Sequence, residues 1–127
     1  MRTNISSGAE WENIVGYSRA VQIGNLIEVS GTTAIIDGTV AFPGDAYQQT
    51  MCILEIIEKA LKSCGAEMKD VIRTRVYLKY VHDWQAAGKA HGEYFMDVKP
   101  ASTMLAVADL IHPDMLVEIE ATALLSR

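Results

Sequence analysis

The chain has 127 residues, of which 50% are hydrophobic and 21% are charged. A chain of this length and composition is expected to form one globular domain over residues 1–127 and not to be disordered. Its net charge of −5 and its lack of a Lys/Arg cluster argue against nucleic acid as a partner.

The two cysteines and the hydropathy pattern predict a cytoplasmic protein. Cys52 and Cys64 lie on one predicted helix, about 18 Å apart along its axis, which is too far for a disulfide. Reduced thiols are typical of the cytosol. No apolar run approaches the length of a membrane span, so we expect neither a signal peptide nor a membrane partner.

The first predicted elements are hairpins. The segment IVGYSRAVQIGNLIEVSG (14–31) predicts two strands joined at Gly24-Asn25, a pair that suits a two-residue turn. The segment AIIDGTVAF (34–42) predicts a smaller hairpin that turns at Asp37-Gly38.

A long helix is predicted next, in the segment DAYQQTMCILEIIEKALKSCG. Asp45 is placed to cap its N-terminus, with Gln48 completing a capping box, and Gly65 is placed to end it. The predicted buried stripe repeats at helical spacing and consists of Tyr47, Met51, Leu54, Ile57, Leu61 and Cys64.

The second half of the chain predicts a strand, a helix and two further strands. DVIRTRVYLKY (70–80) alternates, with one side formed by Ile72, Thr74, Val76 and Leu78 and the other by Arg73, Arg75, Tyr77 and Lys79. Asp83 then caps a helix that reaches about residue 96, with an inner stripe of Trp84, Ala87, His91 and Phe95. The last strands, in ASTMLAVADL and MLVEIEATALL, are separated by a turn at Pro113-Asp114.

Two helices cover only one face of a sheet with five or six strands. The other face carries Tyr17, Tyr77 and Leu124 among its charged residues. A mixed surface of this kind is best covered by another subunit, so the pattern predicts an oligomer.

The segment VEIEATAL (117–124) places two carboxylates on one side of a strand. Glu118 and Glu120 lie about 7 Å apart, opposite the apolar side of the same strand. They are either exposed residues that pair with Arg73 and Arg75 on a neighbouring strand, or the acidic floor of a site. The pattern alone favours the exposed surface.

Several chemistries have no motif in the chain. His82, His91 and His112 lack the spacing of metal ligands, and no cysteine pair accompanies them. No glycine-rich phosphate loop and no nucleophile elbow is present. We therefore expect no metal and no cofactor, and we expect His91 to be a hydrogen-bonded core residue.

The segments VGYSRAVQIGNLIEVSG, HGEYF…KPAS and MLVEIEATAL together resemble the RidA (YjgF) family over nearly the whole chain. The resemblance implies an α+β, chorismate-mutase-like fold, in which a mixed sheet is backed by two helices. It also implies a homotrimer whose sheets face inward and whose clefts between subunits hold small carboxylated ligands. The best-known members hydrolyse enamines and imines such as 2-aminoacrylate, releasing ammonia and a 2-keto acid.

The resemblance also implies roles for particular residues. By position, Tyr17 and Ser30 match residues that line the cleft, and Glu120 matches the acidic residue that positions or activates the hydrolytic water. Glu120 would then act as a general acid and base. A partly buried position beside Glu118 is expected to raise the pKa of Glu120.

The chain departs from the family pattern at one important position. Active deaminases read Pro-Ala-Arg where this chain reads Pro100-Ala101-Ser102, and that arginine grips the substrate carboxylate. Met104 and Gly88 stand where many members have a cysteine and an asparagine. Activity on 2-aminoacrylate is therefore expected to be weak or absent.

Other residues are candidates to replace the missing arginine. Arg75 is the first of them, ahead of Lys79 and Arg19, although its position on the strand favours a pair with a glutamate. Ser102 and Thr103 either bind a neutral polar group of the ligand or simply fill the strand. Tyr17 either donates to a ligand or fills an interface, and Ser30 and Thr32 either line the cleft or cap strand-end backbone groups.

Three functions remain open from the sequence. The first is a RidA-like hydrolase or deaminase acting on a small imine, enamine or related amide, with Glu120 at its centre. The second is a trimer that binds a small metabolite without turnover. The third, a ribonuclease or translation inhibitor, rests only on the older family labels, and the acidic net charge counts against it.

Overall fold

A mixed six-stranded sheet forms the centre of the structure, a computed structural model that describes residues 1–126. Arg127, the last residue of the predicted domain, lies outside the described residues. The strands in chain order are β1 (Arg2–Ile5), β2 (Ala20–Ile23), β3 (Leu26–Thr32), β4 (Ile35–Ile36), β5 (Thr39–Val40), β6 (Val71–Leu78), β7 (Ala101–Ala106) and β8 (Val117–Leu124). The main sheet has the order β1-β2-β3-β8-β6-β7, with β6 and β7 parallel and the other neighbours antiparallel. Strands β4 and β5 form a separate small hairpin.

Two helices, α1 (Ala46–Ser63) and α2 (Trp84–Phe95), pack on one face of this sheet. Single helical turns are formed by Glu12–Gly16, Met68–Asp70 and Val81–Asp83. The predicted α+β class, with a mixed sheet backed by two helices, is confirmed. Within residues 1–126, no helix combines the length and the apolar character needed to span a bilayer.

Helix α1 begins and ends where the sequence predicts. The Asp45 side chain accepts a hydrogen bond from the backbone N–H of Gln48 at 3.0 Å, which satisfies one of the free donors of the first turn. Gly65 has a φ of 75°, and its N–H donates to the Lys62 carbonyl while the next N–H, of Ala66, donates to Leu61. This is the hydrogen-bond pattern of a glycine-terminated helix.

The hydrophobic core lies between α1 and the inner side of β8. The alternating residues of β8 that point toward the helices are all buried, namely Val117, Ile119, Ala121 and Ala123. They join a cluster with α1 residues that include Leu54, Ile57 and Leu61. The predicted stripe of α1 is therefore confirmed at its centre, whereas Tyr47 and Met51 at its N-terminal end are only half-buried.

The N-terminal region differs from the predicted strand pattern. Residues 2–5 form β1, an additional strand that pairs with β2. The strand predicted from residue 14 begins only at Ala20, because Glu12–Gly16 form a helical turn instead. Glu12 is buried and accepts hydrogen bonds from Ser6 and Ser7, which hold this turn against the end of β1.

Two residues predicted to face the core are exposed. A register irregularity between Val71 and Arg73 turns Val71 inward and leaves Ile72 with 49% of its surface exposed. Such a bulge shifts side chains from one face of a strand to the other. Trp84 opens α2 with 54% of its surface exposed, and the inner side of this helix is formed by Ala87, Ala90 and Phe95.

Gln49 on α1 joins two loops that cover one end of the core. It is fully buried, and its Nε2 donates to the carbonyl oxygens of Ala41, Phe42 and Asp114 at 3.1, 3.3 and 2.8 Å. Its Oε1 accepts from the backbone N–H of Leu116 at 2.9 Å. The single amide thus satisfies backbone groups that are sequestered from water.

We expect Gln49→Met to lower the free energy of unfolding by about 3 kcal/mol, because it removes these bonds while keeping the side-chain volume. The matched control is Gln48→Met at the exposed neighbouring position, which should change stability by less than about 0.5 kcal/mol. Urea unfolding at a fixed protein concentration measures both variants. A loss of less than about 1 kcal/mol for Gln49→Met would show that water replaces the amide.

Candidate functional site

The open face of the sheet, on the side away from the helices, carries most of the polar residues singled out in the sequence. On β8, Glu118 and Glu120 alternate with the buried core residues and therefore point to this face. Arg73, Arg75 and Tyr77 of β6 share the face. Arg75 lies opposite Glu120 in the strand register, and Tyr77 lies opposite Glu118.

A bulge in β3 brings its backbone against Glu118. The register between β3 and β8 shifts between Val29 and Thr32, so the segment Ser30-Gly31 departs from the regular ladder. The Glu118 carboxylate packs against Gly31. A Cβ atom at position 31 would overlap Oε2 of Glu118 and lie 3.2 Å from its Cδ. A residue without a side chain is therefore required for this close approach.

Arg19 is buried beside the bulge, with 7% of its surface exposed. Its Nη1 donates to the Gly31 carbonyl oxygen and to Thr32 Oγ1, both at 2.8 Å. Its Nη2 lies 3.5 Å from Tyr17 Oη. These acceptors are uncharged, and within residues 1–126 Arg19 forms no ion pair. The bulge thus holds a desolvated positive charge close to Glu118.

The environment of Glu118 favours its protonated form. Burial raises the pKa of Glu118 above its ordinary value of 4.5, and repulsion by Glu120 raises it further, while the positive charge of Arg19 opposes both effects. A carboxyl group with a raised pKa exchanges protons more readily near neutral pH. This property is typical of acid–base groups in active sites.

Glu120 is engaged in a different contact. Tyr77 Oη donates to Glu120 Oε1 at 2.8 Å, and this bond raises the pKa of Tyr77. Arg73 donates to Thr103 Oγ1 at 2.8 Å. The ion pairs considered for the two glutamates with Arg73 and Arg75 are not formed within residues 1–126. A raised pKa is found at the neighbouring Glu118.

An open groove of about 490 Å³ lies on the same face, along β1, β2 and the helical turn that connects them. Tyr17 and Ser30 are among the residues that line it. Ser30 Oγ donates to the Ser18 carbonyl oxygen at 2.6 Å, so this hydroxyl also fastens the backbone at the bulge. The structure therefore brings Tyr17 and Ser30 to the region of the bulge, next to Arg19 and Glu118.

Ser102 and Thr103 lie on opposite faces of the edge strand β7. Thr103 faces the open side, opposite Arg75 in the register. Ser102 points to the helix side, where its Oγ lies 2.8 Å from Thr74 Oγ1. Because the sheet separates them, Ser102 and Glu118 cannot contact one ligand within a single chain.

Other sequence candidates have ordinary structural roles. Lys79 Nζ donates to the Pro113 carbonyl oxygen at 3.0 Å. His91 Nε2 lies 2.8 Å from Thr74 Oγ1, which confirms the predicted hydrogen-bonded core histidine. Arg75 is half-buried on the open face, and its role as a ligand cation stays a prediction.

The cluster of Arg19, Gly31 and Glu118 was not predicted from the sequence. Gly31 was the one signal for it, since a glycine within a strand often marks a bulge or a close approach. Gly31 follows the apolar–polar alternation of β3 directly. The approach of Glu118 to Gly31 depends on the pairing of β3 with β8, which are separated by most of the chain.

The chain is thus a small α+β protein in which two helices back a mixed sheet and a carboxylate lies at a strand bulge. The family model described as Endoribonuclease L-PSP matches residues 8–125. The chain belongs to this family, the RidA/YjgF family that the sequence segments resemble.

Individual relatives agree with this assignment. The crystal structure of Rv2704 from Mycobacterium tuberculosis, described as a member of the YjgF/YER057c/UK114 family, is 44% identical, with a TM-score of 0.90 over 98% of this chain and 100% of that one. The protein SCO2049 of Streptomyces coelicolor is 38% identical over 94% of this chain and 89% of its own length. The 3-aminoacrylate deaminase RutC of Acinetobacter baylyi is 33% identical over 84% of this chain and 85% of its own length.

The raised pKa of Glu118 predicts a pH-dependent effect on stability. A group whose pKa is higher in the folded state stabilises the fold while it is protonated, and this contribution is lost as the pH rises through the folded-state pKa. Glu118→Gln should therefore be more stable than the wild type at pH 7, and the difference should vanish below about pH 4.

Thermal unfolding of wild type and variant across this pH range measures the difference. The control is Glu10→Gln, at an exposed carboxylate, which should track the wild type within about 0.5 kcal/mol at each pH. A Glu118→Gln protein that is less stable than wild type at pH 7 would contradict the raised pKa.

Proposed function

We propose that the protein is a RidA-like hydrolase that converts a small imine or enamine to a carbonyl compound and ammonia, with Glu118 as the acid–base group. The observation that supports this proposal most strongly is the Glu118 carboxyl group, which lies against the Gly31 bulge with a raised pKa. It faces the side of the sheet on which Tyr17 and Ser30 line a groove.

The chemistry requires two opposite proton transfers. Water adds to the imine carbon and loses a proton while the nitrogen gains one, which gives a carbinolamine. The nitrogen then gains a second proton and the new hydroxyl group loses its own, so that ammonia leaves as the carbonyl group forms. One carboxyl group can accept the proton from water and return it to nitrogen. The positive charge of Arg19, held close by, opposes the rise in the pKa of Glu118 that burial and Glu120 cause.

Glu118 suits the acid–base role better than Glu120, the residue that the sequence had indicated for it. The Glu120 carboxylate already accepts a hydrogen bond from Tyr77. Burial and the charge of Glu120 act together to raise the pKa of Glu118. In this proposal Glu120 therefore supports the site through its charge, while Glu118 transfers the protons.

The proposed site lies in a cleft shared by copies of the chain, which assemble as a homotrimer. The open face of the sheet carries exposed apolar side chains that are neighbours across β2, β3 and β8, namely Ile23, Leu26 and Leu124. An apolar patch beside charged residues is typical of a subunit interface. A second copy can also bring the helix-side residue Ser102 opposite Glu118 of the first, which one chain cannot do.

The substrate is proposed to be small and to differ from 2-aminoacrylate. RutC of A. baylyi, at 33% identity, is named as a 3-aminoacrylate deaminase, which supports C–N bond hydrolysis as the reaction class. By the family resemblance, Ser102 corresponds to the position where active deaminases carry an arginine. Losing a bidentate arginine contact to a carboxylate removes several kcal/mol of binding, so activity on 2-aminoacrylate should be weak or absent.

A ribonuclease activity is not proposed, although the family description includes that name. Binding of RNA depends mainly on Lys and Arg contacts to phosphates. The chain has a net charge of −5, with 11 basic and 16 acidic side chains.

We expect Glu118→Gln to lower the rate of imine hydrolysis about 100-fold or more, because the amide cannot transfer protons. Glu120→Gln should lower it less than about tenfold, since it removes only a neighbouring charge. The measurement is the decay of imines that are produced in the assay. An amine oxidase produces imines without a carboxylate, and an amino-acid oxidase produces imines that carry one. Ammonia release above the uncatalysed rate confirms the reaction.

The outcomes separate the alternatives. Loss of turnover in Glu120→Gln with full turnover in Glu118→Gln would return the acid–base role to Glu120. Thermal stabilisation of the wild type by product analogues, without any acceleration of imine decay, would contradict the hydrolase and favour a protein that binds a metabolite without turnover.

A further inference from the structure

A chain of three hydrogen-bonding groups runs from α2 to the edge of the sheet, on the helix side. His91 Nε2 lies 2.8 Å from Thr74 Oγ1, and Thr74 Oγ1 lies 2.8 Å from Ser102 Oγ. Thr74 is fully buried and His91 is half-buried, whereas Ser102 is exposed on the edge strand. The buried groups therefore lead to a single hydroxyl that faces outward.

The chain holds the Ser102 hydroxyl in a fixed orientation. A hydroxyl that is free to rotate loses entropy when a ligand binds, whereas one that is already hydrogen-bonded is preorganised. Thr74 is fixed in turn by its position in the centre of the β6 strand and by its contact with His91. Ser102 thus differs from an ordinary exposed serine.

The hydrogen bonds that link His91, Thr74 and Ser102 can run in either direction. Burial lowers the pKa of His91, so its imidazole is neutral at pH 7. A neutral imidazole either donates or accepts at Nε2, depending on its tautomer. In one arrangement Ser102 donates to a ligand oxygen, and in the other it accepts from a ligand N–H.

We propose that Ser102, oriented by Thr74 and His91, is the specificity residue of the proposed cleft and selects ligands that carry a neutral amide or carbonyl group at this end. An amide supplies both a hydrogen-bond acceptor and a donor, so it can pair with Ser102 whether this hydroxyl donates or accepts. A carboxylate would lose its hydration against uncharged groups, which costs free energy unless a cation compensates it. Arg73 and Arg75 pair with Ala101 and Thr103 on either side of Ser102, but both point to the opposite face of the sheet, where Arg73 donates to Thr103.

This inference rests on the proposed function only for the location of the cleft, since binding is measured without turnover. The probes are pyruvamide and pyruvate, which have nearly the same shape and differ in a neutral amide against a carboxylate. Dissociation constants come from titrations followed by the backbone amide resonances of residues 101–106 in ¹⁵N-labelled protein. We expect pyruvamide to bind at least about tenfold more tightly than pyruvate.

The variants separate recognition from structure. Ser102→Ala, which removes the exposed hydroxyl, should reduce the preference to less than about threefold. Thr74→Val removes the hydroxyl that connects His91 with Ser102, whereas Thr74→Ser keeps it. Only the serine variant should therefore retain the preference for pyruvamide. Thr39→Ala, on the distant β4–β5 hairpin, is the control and should leave both constants unchanged.

Each result bears on the inference in a distinct way. Equal binding of the two probes, or tighter binding of pyruvate, would overturn it, as would an unchanged preference in Ser102→Ala. A preference for pyruvamide in a protein that does not hydrolyse imines would support this inference and remove only the proposed hydrolase. The reverse combination, turnover without the preference, would remove only the inference about Ser102.

Discussion

The contact between the Glu118 carboxylate and the Cα of Gly31 is the constraint on which the account of this protein depends. It exists because an irregular register between β3 and β8 turns the Ser30-Gly31 segment toward the open face, and because position 31 has no side chain. Arg19 fastens the same segment by donating to the Gly31 carbonyl oxygen. A carboxyl group, a cation and a backbone bulge are thereby held together by one local arrangement.

This arrangement explains why two glutamates on one strand face behave differently. Glu118 and Glu120 lie two residues apart, and the alternation of the strand places both on the same face without distinguishing them. In the structure Glu120 receives the Tyr77 hydroxyl, whereas Glu118 is desolvated against the bulge, and the charge of Glu120 adds to the effect. Different environments are a recurring way to divide roles between two neighbouring carboxyl groups.

The sheet also divides the polar residues into two groups that point in opposite directions. Glu118, Arg19 and Tyr17 belong to the open side, while Ser102 belongs to the helix side with Thr74 and His91. A ligand that contacts both groups requires two copies of the chain. Assembly and function are therefore linked in the proposal, and the exposed apolar residues on the open face supply a reason for copies to associate.

Much of the fold follows from local sequence. The turns at Gly24-Asn25 and Asp37-Gly38 and the ends of α1 at Asp45 and Gly65 are determined by residues with strong conformational preferences, and all are confirmed. The alternation of β8 identified its buried side correctly.

The features that the sequence did not reveal depend on tertiary contacts. The turn at Glu12–Gly16 depends on hydrogen bonds from Ser6 and Ser7, and the exposure of Ile72 depends on a bulge in the pairing with β8. The site followed the same division. Family resemblance and strand alternation identified the acidic face, but the choice of Glu118 required the approach of a strand from the other half of the chain.

The most direct measurement is the titration of the side-chain carboxyl carbons by NMR in uniformly ¹³C-labelled protein, with Glu118 assigned by comparison with Glu118→Gln. The account predicts that Glu118 titrates above its ordinary pKa of 4.5 in the folded protein. It also predicts that Gly31→Ala, which displaces the carboxylate from the bulge, brings that pKa back toward the ordinary value. A Glu118 pKa at or below 4.5 in the wild type would contradict the claim that this carboxyl group is held ready for proton transfer.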